Sequence, residues 1–239
     1  MKLAVISGGS RGLGAELCRQ YAEAGFELLE FSRRAPHPFS VACDFSEPLS
    51  AARTVAERLA PFAARADLTE LVVLSNVAML DPIGPVSRKA PAAVQANLNA
   101  NLVSAILFMS EAIRAFQAHP ARKTLVSLSS GAALKGRAGW SLYCAAKAGL
   151  DNFIRAVALE QEAEAAPFRT LSIDPGVMDT DMQAEIRASS AEDFPSVARF
   201  HDLLRDGELR TPQSIAAAIR RIVASEYEGG QRLVAADFL

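Results

Sequence analysis

Tyr143 and Lys147 stand four residues apart in "WSLYCAAKAG" (140–149), and residues at i and i+4 share one face of a helix. Their neighbours are small, so neither side chain is there to fill a core. A free phenol titrates near ~10, and each unit by which that value falls is worth ~1.4 kcal/mol. A cation one turn away stabilises the phenolate and makes the phenol a better proton donor near neutral pH. Thirteen residues before Tyr143, "LVSLSS" ends at Ser129 and Ser130. Ser130 is placed to hydrogen-bond a carbonyl oxygen and hold it beside the phenol. Together these residue types can protonate a carbonyl as it is reduced.

Reduction needs a hydride source. "SGGSRGLG" (7–14) follows an apolar strand and opens a helix, the context of a dinucleotide-binding glycine loop. Gly8 permits the tight turn, Gly12 lets the backbone approach a pyrophosphate at the positive helix end, and Gly14 allows close packing of helix on sheet. About 20 residues on, where an acid would hold the ribose diol of NAD, the sequence reads "FSRRAP". Arg33 and Arg34, with Arg11 from the loop, can grip an adenosine 2'-phosphate through paired hydrogen bonds. NADP(H) is therefore the expected cofactor. The alternative is that Glu30 ends the strand early and takes the diol, leaving the arginines in solvent.

These side chains need elements to place them. Apolar runs at 3–7, 26–32, 39–45, 70–75, 123–130, 168–176 and 231–235 read as strands. Helical patterns lie at 12–24, 48–64, 87–118 (two stretches), 141–165 and 212–225. This alternation predicts an α/β fold, a Rossmann-like doubly wound parallel sheet of about seven strands with helices on both faces. Residues 1–239 read as one domain. Between Gly176 and Arg210 no strand appears, only helical patterns near 180–190 and 195–205. Ligands bind at the carboxyl edge of such sheets, so residues 177–210 are expected to form a substrate lid; a surface excursion with no role is the alternative. Trp140 and Met178 are candidate substrate contacts, Trp140 equally a plain core residue.

Of 239 residues, half are apolar and 22% charged, with a net charge of −2. That balance gives no footprint for nucleic acid or an anionic membrane. Three scattered cysteines without CxxC spacing, and three histidines, predict neither disulfide nor metal. No leader-like segment or spanning apolar run is read, so a cytoplasmic location is expected.

"SGGSRGLG", Ser130, "YCAAK" (143–147) and "DPGVMDTDM" (174–182) together resemble the short-chain dehydrogenase/reductase superfamily over the whole chain. The resemblance implies a catalytic Ser130, Tyr143 and Lys147 completed by an asparagine, placed at Asn101, with Asn97 and Asn99 nearby. It also implies that Asp44 holds the adenine and Lys147 the nicotinamide ribose, while Pro175, Gly176 and Thr180 flank the nicotinamide amide. Further cofactor contacts are implied at Ser10, Leu13, Phe45, Val177 and Met182. The usual Asn-Asn-Ala-Gly is replaced by Ser75, Asn76, Val77 and Ala78, which implies altered packing against the ribose. "KGRAGWSLYCAAKAG" and the 175–194 segment resemble, within the superfamily, the sepiapterin reductases and the bacterial benzil reductases. These imply reduction of one ketone of a vicinal dicarbonyl. The spacing from Gly230 puts Val234 where the sepiapterin reductases carry a pterin-anchoring aspartate, with Asp237 three residues beyond. The family likeness also implies a homo-oligomer, a dimer built partly on helix 141–165 through Ala145, Ala148, Gly149, Phe153 and Val157.

Overall fold

The computed structural model describes all 239 residues. Seven parallel strands form one sheet in the order β3-β2-β1-β4-β5-β6-β7. They are β1 (Lys2–Ser7), β2 (Glu27–Ser32), β3 (Ser40–Ala42), β4 (Glu70–Ser75), β5 (Arg122–Leu128), β6 (Phe168–Asp174) and β7 (Gln231–Val234). The sheet order reverses direction between β1 and β4, the switch point at which such sheets bind ligands. The helices are α1 (Gly12–Glu23), α2 (Pro48–Ala63), α3 (Pro91–Leu98), α4 (Ser104–Phe116), α5 (Ser141–Gln161), α6 (Asp181–Arg187), α7 (Val197–Arg205) and α8 (Pro212–Ala224).

Both faces of the sheet are buried, which is why the strands are apolar at successive positions. Leu3, Val5, Leu71, Val73 and Leu125 point into a core under α2, α4 and α5, whereas Ala4, Ile6, Val72, Leu74 and Val126 point into one under α1 and α8. One line across the sheet is polar. Ser7, Ser75, Ser127 and Ser172 lie in register on four adjacent strands, and Arg232 of β7 continues the line. All four serines are buried, on the face that α4 and α5 cover.

Some boundaries differ from the periodicity. Helix α5 ends at Gln161 rather than near 165, because the Gln161 side-chain carbonyl accepts the Phe168 N–H at 2.7 Å as the chain turns into β6. The 87–118 region is α3 and α4 joined by a π-helical turn, Asn99–Val103. This 26-residue run, Pro91–Phe116, is long and apolar enough by composition to cross a bilayer, contrary to the expectation of no such stretch. Its apolar stripe, including Phe108, Met109, Ala112 and Phe116, is packed in the core instead. On α5, Val157 is buried and Phe153 packs against the core. Val157 is not free for a partner, whereas Phe153 is only partly covered, and the exposed stripe is Ala145, Ala148, Asn152, Ala156 and Leu159. The helix twist turns the two larger residues inward.

Helix α1 approaches β1 so closely that a Cβ on Gly14 would sit 2.0 Å from the Gly8 carbonyl oxygen. Backbone cannot yield as a side-chain tip can. Gly25, by contrast, has φ +78° and open space around it. Gly14→Ala is expected to destabilise by about 3 kcal/mol or more through overpacking. Gly25→Ala should cost only about 1 kcal/mol, for left-handed backbone. Urea unfolding of both variants checks the order.

Candidate active site and cofactor cleft

Gly8 (φ +76°) and Gly12 (φ +53°) adopt left-handed backbone in the β1–α1 turn, as the glycine spacing required. The Asn76 amide donates to the Gly8 carbonyl at 2.9 Å, and the Ser7 hydroxyl accepts the N–H groups of Asn76 and Val77. The ends of β1 and β4 are thus knitted together without the missing Asn-Asn-Ala-Gly motif, while Ala78 packs toward the aromatic cluster described below.

No side chain caps α1, so the first-turn N–H groups face the cleft unspent by any capping side chain. Such a helix end favours an anion, and a pyrophosphate fits this cradle. Ser10 lies half-buried beside it, and Leu13 turns its side chain into the core, leaving its backbone to the cleft. Thr180 covers the loop, its methyl 3.5 Å from where a Gly12 Cβ would lie. The Thr180 hydroxyl does not cap α6 and remains for a ligand.

Strand β2 runs through to Ser32, and Glu30 is fully buried, one carboxylate oxygen accepting the Gly9 N–H at 2.8 Å. The reading in which Glu30 takes a ribose diol is thereby excluded: its side chain props the glycine loop from inside. A Gly9 Cβ would meet Glu30 at 2.4 Å and Cys18 at 2.6 Å. This need for Gly9 was not legible in the motif. Arg33 and Arg34 follow β2, exposed. Arg11 instead spans the cleft to Asp181 of α6 at 2.8 Å, so it pairs with the excursion rather than standing free. Asp44 is exposed, and its carboxyl is held below the usual range by the Ser46 N–H, then by the Ser46 hydroxyl and the charge of Arg33. Phe45 corrects an expectation: its ring lies in the core edge-on to Phe108, so it presents no side chain to a cofactor.

Ser130, Tyr143 and Lys147 converge. Ser130 follows β5 in extended backbone, its hydroxyl accepting the Ala132 N–H at 3.2 Å. Tyr143 and Lys147 share the sheet-facing side of α5 and are buried. The Lys147 ammonium donates to the Leu128 carbonyl at 2.6 Å and lies 5.6 Å from the centre of the Tyr143 ring. Burial pushes the phenol up to about 12, offset in part by the Ser130 hydroxyl. The expected depression by Lys147 is absent: its ammonium is turned to the Leu128 carbonyl, and the charges of Asp174 and Cys144 push the phenol further up. Burial also pulls Lys147 down to about 8, against the upward pull of Asp151 and Asp174.

Asn101 is buried in the π-helical turn. Its side chain accepts from the Met79 N–H and donates to the Met79 carbonyl, both at 2.8 Å, and to Asn97 at 3.0 Å. Asn97 in turn holds the Asp81 carbonyl, and Asn99 points to Ser46. Asn97 and Asn101 both tie the α3–α4 region to the chain leaving β4.

The 177–210 excursion is closed at its base by a bridge between Met178 and Arg210. Phe194, with no exposed surface, stacks on Trp140 (4.5 Å between centroids, 4° between planes). Phe200 tilts against both, and Trp140 meets Tyr143 edge-on at 5.9 Å. Trp140 is thus packed within a buried aromatic cluster beside Tyr143, with an indole N–H that has no partner. Val177 and Met182 join this cluster. Met178 does not: it packs toward the core under α1 and α8, which corrects its assignment as a substrate contact. The Met178–Arg210 bridge turns it there.

Leu233 packs into the core beneath α8, so strand alternation puts Val234 with Arg232 on the α5 face. Pro175 and Gly176 follow β6 in the same region. Asp237 is exposed on a final 3₁₀ turn. Asp174 already accepts from the Gly176 N–H and Arg232.

The family model "short chain dehydrogenase" matches residues 2–191. The chain belongs to this family of oxidoreductases. It is 33% identical over its full length to the benzil reductase ((S)-benzoin forming) of Bacillus subtilis (strain 168), covering 100% of both chains. It is 34% identical to the sepiapterin reductase of Meriones unguiculatus over 59% of this chain and 53% of that one. Among solved structures, the KRED1-Pglu enzyme superposes with a TM-score of 0.81 at 26% identity, covering 97% of this chain and 100% of that one.

Removing a stacked core phenyl costs about 3 kcal/mol. Phe194→Ala is expected to speed hydrogen exchange of the α6 and α7 amides on the order of a hundredfold. Fluorescence from Trp140, the single tryptophan, should shift to the red. Unchanged exchange and emission would mean the stack does not hold the excursion down.

Proposed function

We propose that this protein is an NADPH-dependent carbonyl reductase acting on one ketone of a vicinal dicarbonyl, with residues 177–210 as its substrate lid within a single domain. The observation that carries the reading is the convergence of Ser130, Tyr143 and Lys147 beneath an aromatic wall, beside an uncapped glycine loop. Arg33, Arg34 and, on release from Asp181, Arg11 meet the 2'-phosphate. Asp44 takes the adenine, and Thr180 with Pro175 and Gly176 the nicotinamide amide. NADPH, when bound, supplies the hydride to the carbonyl carbon. Ser130 holds the carbonyl oxygen, Tyr143 gives it the proton, and protonated Lys147 stabilises the phenolate left behind. A resting phenol held near 12 enters the reaction with its proton on. Asn101 steadies the floor of the site. The reaction takes place in the cytoplasm, in a homodimer docked through the small residues exposed on α5.

NADPH is expected to be preferred over NADH by at least about tenfold in kcat/KM, since ~1.4 kcal/mol from one arginine–phosphate contact suffices. Tyr143→Phe should keep cofactor binding yet lose about a hundredfold or more in turnover. Steady-state kinetics with both cofactors, together with NADPH fluorescence titration, test the reading; near-wild-type turnover in the phenylalanine variant would sink it.

An apolar Val234, with no free carboxylate beside it, favours a flat apolar substituent over a pterin. The donors of a pterin edge, buried without a partner, cost about 1–3 kcal/mol, whereas an apolar ring gains by burial. Benzil is expected to give a higher kcat/KM than sepiapterin, and Val234→Asp to move the ratio toward the pterin. A tenfold wild-type preference for sepiapterin would contradict this placement of the pocket.

A further inference from the structure

Beneath the site, Arg232 of β7 joins the elements that carry it. Its Nε donates to Asp151 of α5 at 3.1 Å, and one Nη donates to Asp174 at the end of β6 at 2.7 Å and to the main-chain carbonyl of Ser130 at 3.1 Å. Asp151 lies one turn beyond Lys147 on α5, and its second carboxylate oxygen is buried without a partner. Side-chain exposures are 13% for Arg232, 3% for Asp151 and 12% for Asp174. Buried carboxylates of this kind persist only with charged, hydrogen-bonding partners. One guanidinium therefore touches the strand end bearing Ser130, the helix bearing Lys147 and the strand that leads into Pro175 and Gly176.

We propose that Arg232 and Asp151 are positioning residues for the reduction: the guanidinium fork sets the Ser130 main chain, and the Asp151 carboxylate holds the charge of Lys147. The inference rests on the reductase reading for what the positioned groups do. It goes beyond that reading in bringing a C-terminal strand residue and an acid two turns beyond Tyr143 into the site. Two carboxylates, Asp151 and Asp174, and two cations, Lys147 and Arg232, form a balanced buried set. The charged or titratable groups around Lys147 are Asp151 and Tyr143 from its own helix and Asp174 from β6, both acids being paired with Arg232 of β7. Burial draws the ammonium toward neutrality while both acids oppose it, so losing one acid leaves burial less opposed. A lysine at 232 would keep the charge but lose the planar fork that reaches three acceptors at once.

The test uses cofactor-free enzyme carrying ¹³Cε-lysine. The chain has five lysines, and the Lys147 signal is assigned by its loss in Lys147→Met. Wild-type Lys147 is expected to titrate near 8, and in Asp151→Asn about one unit or more lower, with NADPH binding weakening at a correspondingly lower pH. Arg232→Lys should leave that titration in place but reduce kcat at least about tenfold, with the KM for NADPH little changed. A Lys147 titration that does not move in Asp151→Asn overturns the charge role. Wild-type kcat in Arg232→Lys overturns the positioning role. Thermal melts identify any variant that has lost its fold, and Asp151→Glu, which retains the charge, is then expected to restore the wild-type titration; its failure to do so also counts against the proposal. Because the lysine signal is read without substrate or cofactor, its outcome is independent of whether the dicarbonyl reading holds.

Discussion

An ammonium buried against the sheet is the constraint around which this site is arranged. Desolvation drives a buried lysine toward its neutral form, while nearby acids pull it toward the charged one. The fold meets the conflict with a carbonyl acceptor on Lys147, from Leu128, and with two nearby carboxylates. Those carboxylates are themselves buried and need a cation, which the last strand supplies as Arg232. The C-terminal edge of the sheet is thereby tied to a helix that begins ninety residues before it in the chain. The row of serines leading to Arg232 belongs to the same solution: small side chains along that line leave room for α5 over the sheet.

The site has two unlike halves. Its floor is ionic and hydrogen-bonded, built from strand ends and the buried face of α5. Its roof is aromatic, with Phe194 and Phe200 brought down on Trp140 by the excursion between β6 and α8. An apolar roof excludes water, which strengthens every charge interaction beneath it. Rigid packing is concentrated where the reacting groups must be held. The roof meets the rest of the molecule largely through a few rings and exposed ion pairs such as Arg11–Asp181, which contribute little individually.

The cofactor cleft follows a different logic, in which backbone does the holding. Gly14 lets α1 come within contact of the Gly8 carbonyl, and Glu30, buried with no cation beside it, fixes the loop through the Gly9 N–H. Helix N–H groups stay unspent by side-chain caps and so remain available to a phosphate. Arg33 and Arg34 stand exposed at the rim of this cleft, outside the cradle itself.

The local chemistry of the sequence was enough to identify the fold, the glycine loop and the Tyr143–Lys147 pair. Each depends on short-range facts: period-two and period-3.6 patterns, positive φ at glycine, and the i, i+4 geometry of a helix. Trp140 was equally readable as wall or core, and only the tertiary structure shows it stacked on Phe194 in a buried cluster. Met178, Phe45 and Val157 were misplaced because one residue of twist decides which face a side chain takes. The direction of the Tyr143 shift could not be read from spacing, since burial depends on what the rest of the chain lays over the phenol. Arg232 carried no motif at all. It lies 81 residues from Asp151, 58 from Asp174 and 102 from Ser130, and parallel strand order alone brings them together. Covalent neighbours determined which groups could do chemistry; which charges survive burial was decided by the tertiary structure, because desolvation and its compensation are properties of packed surroundings.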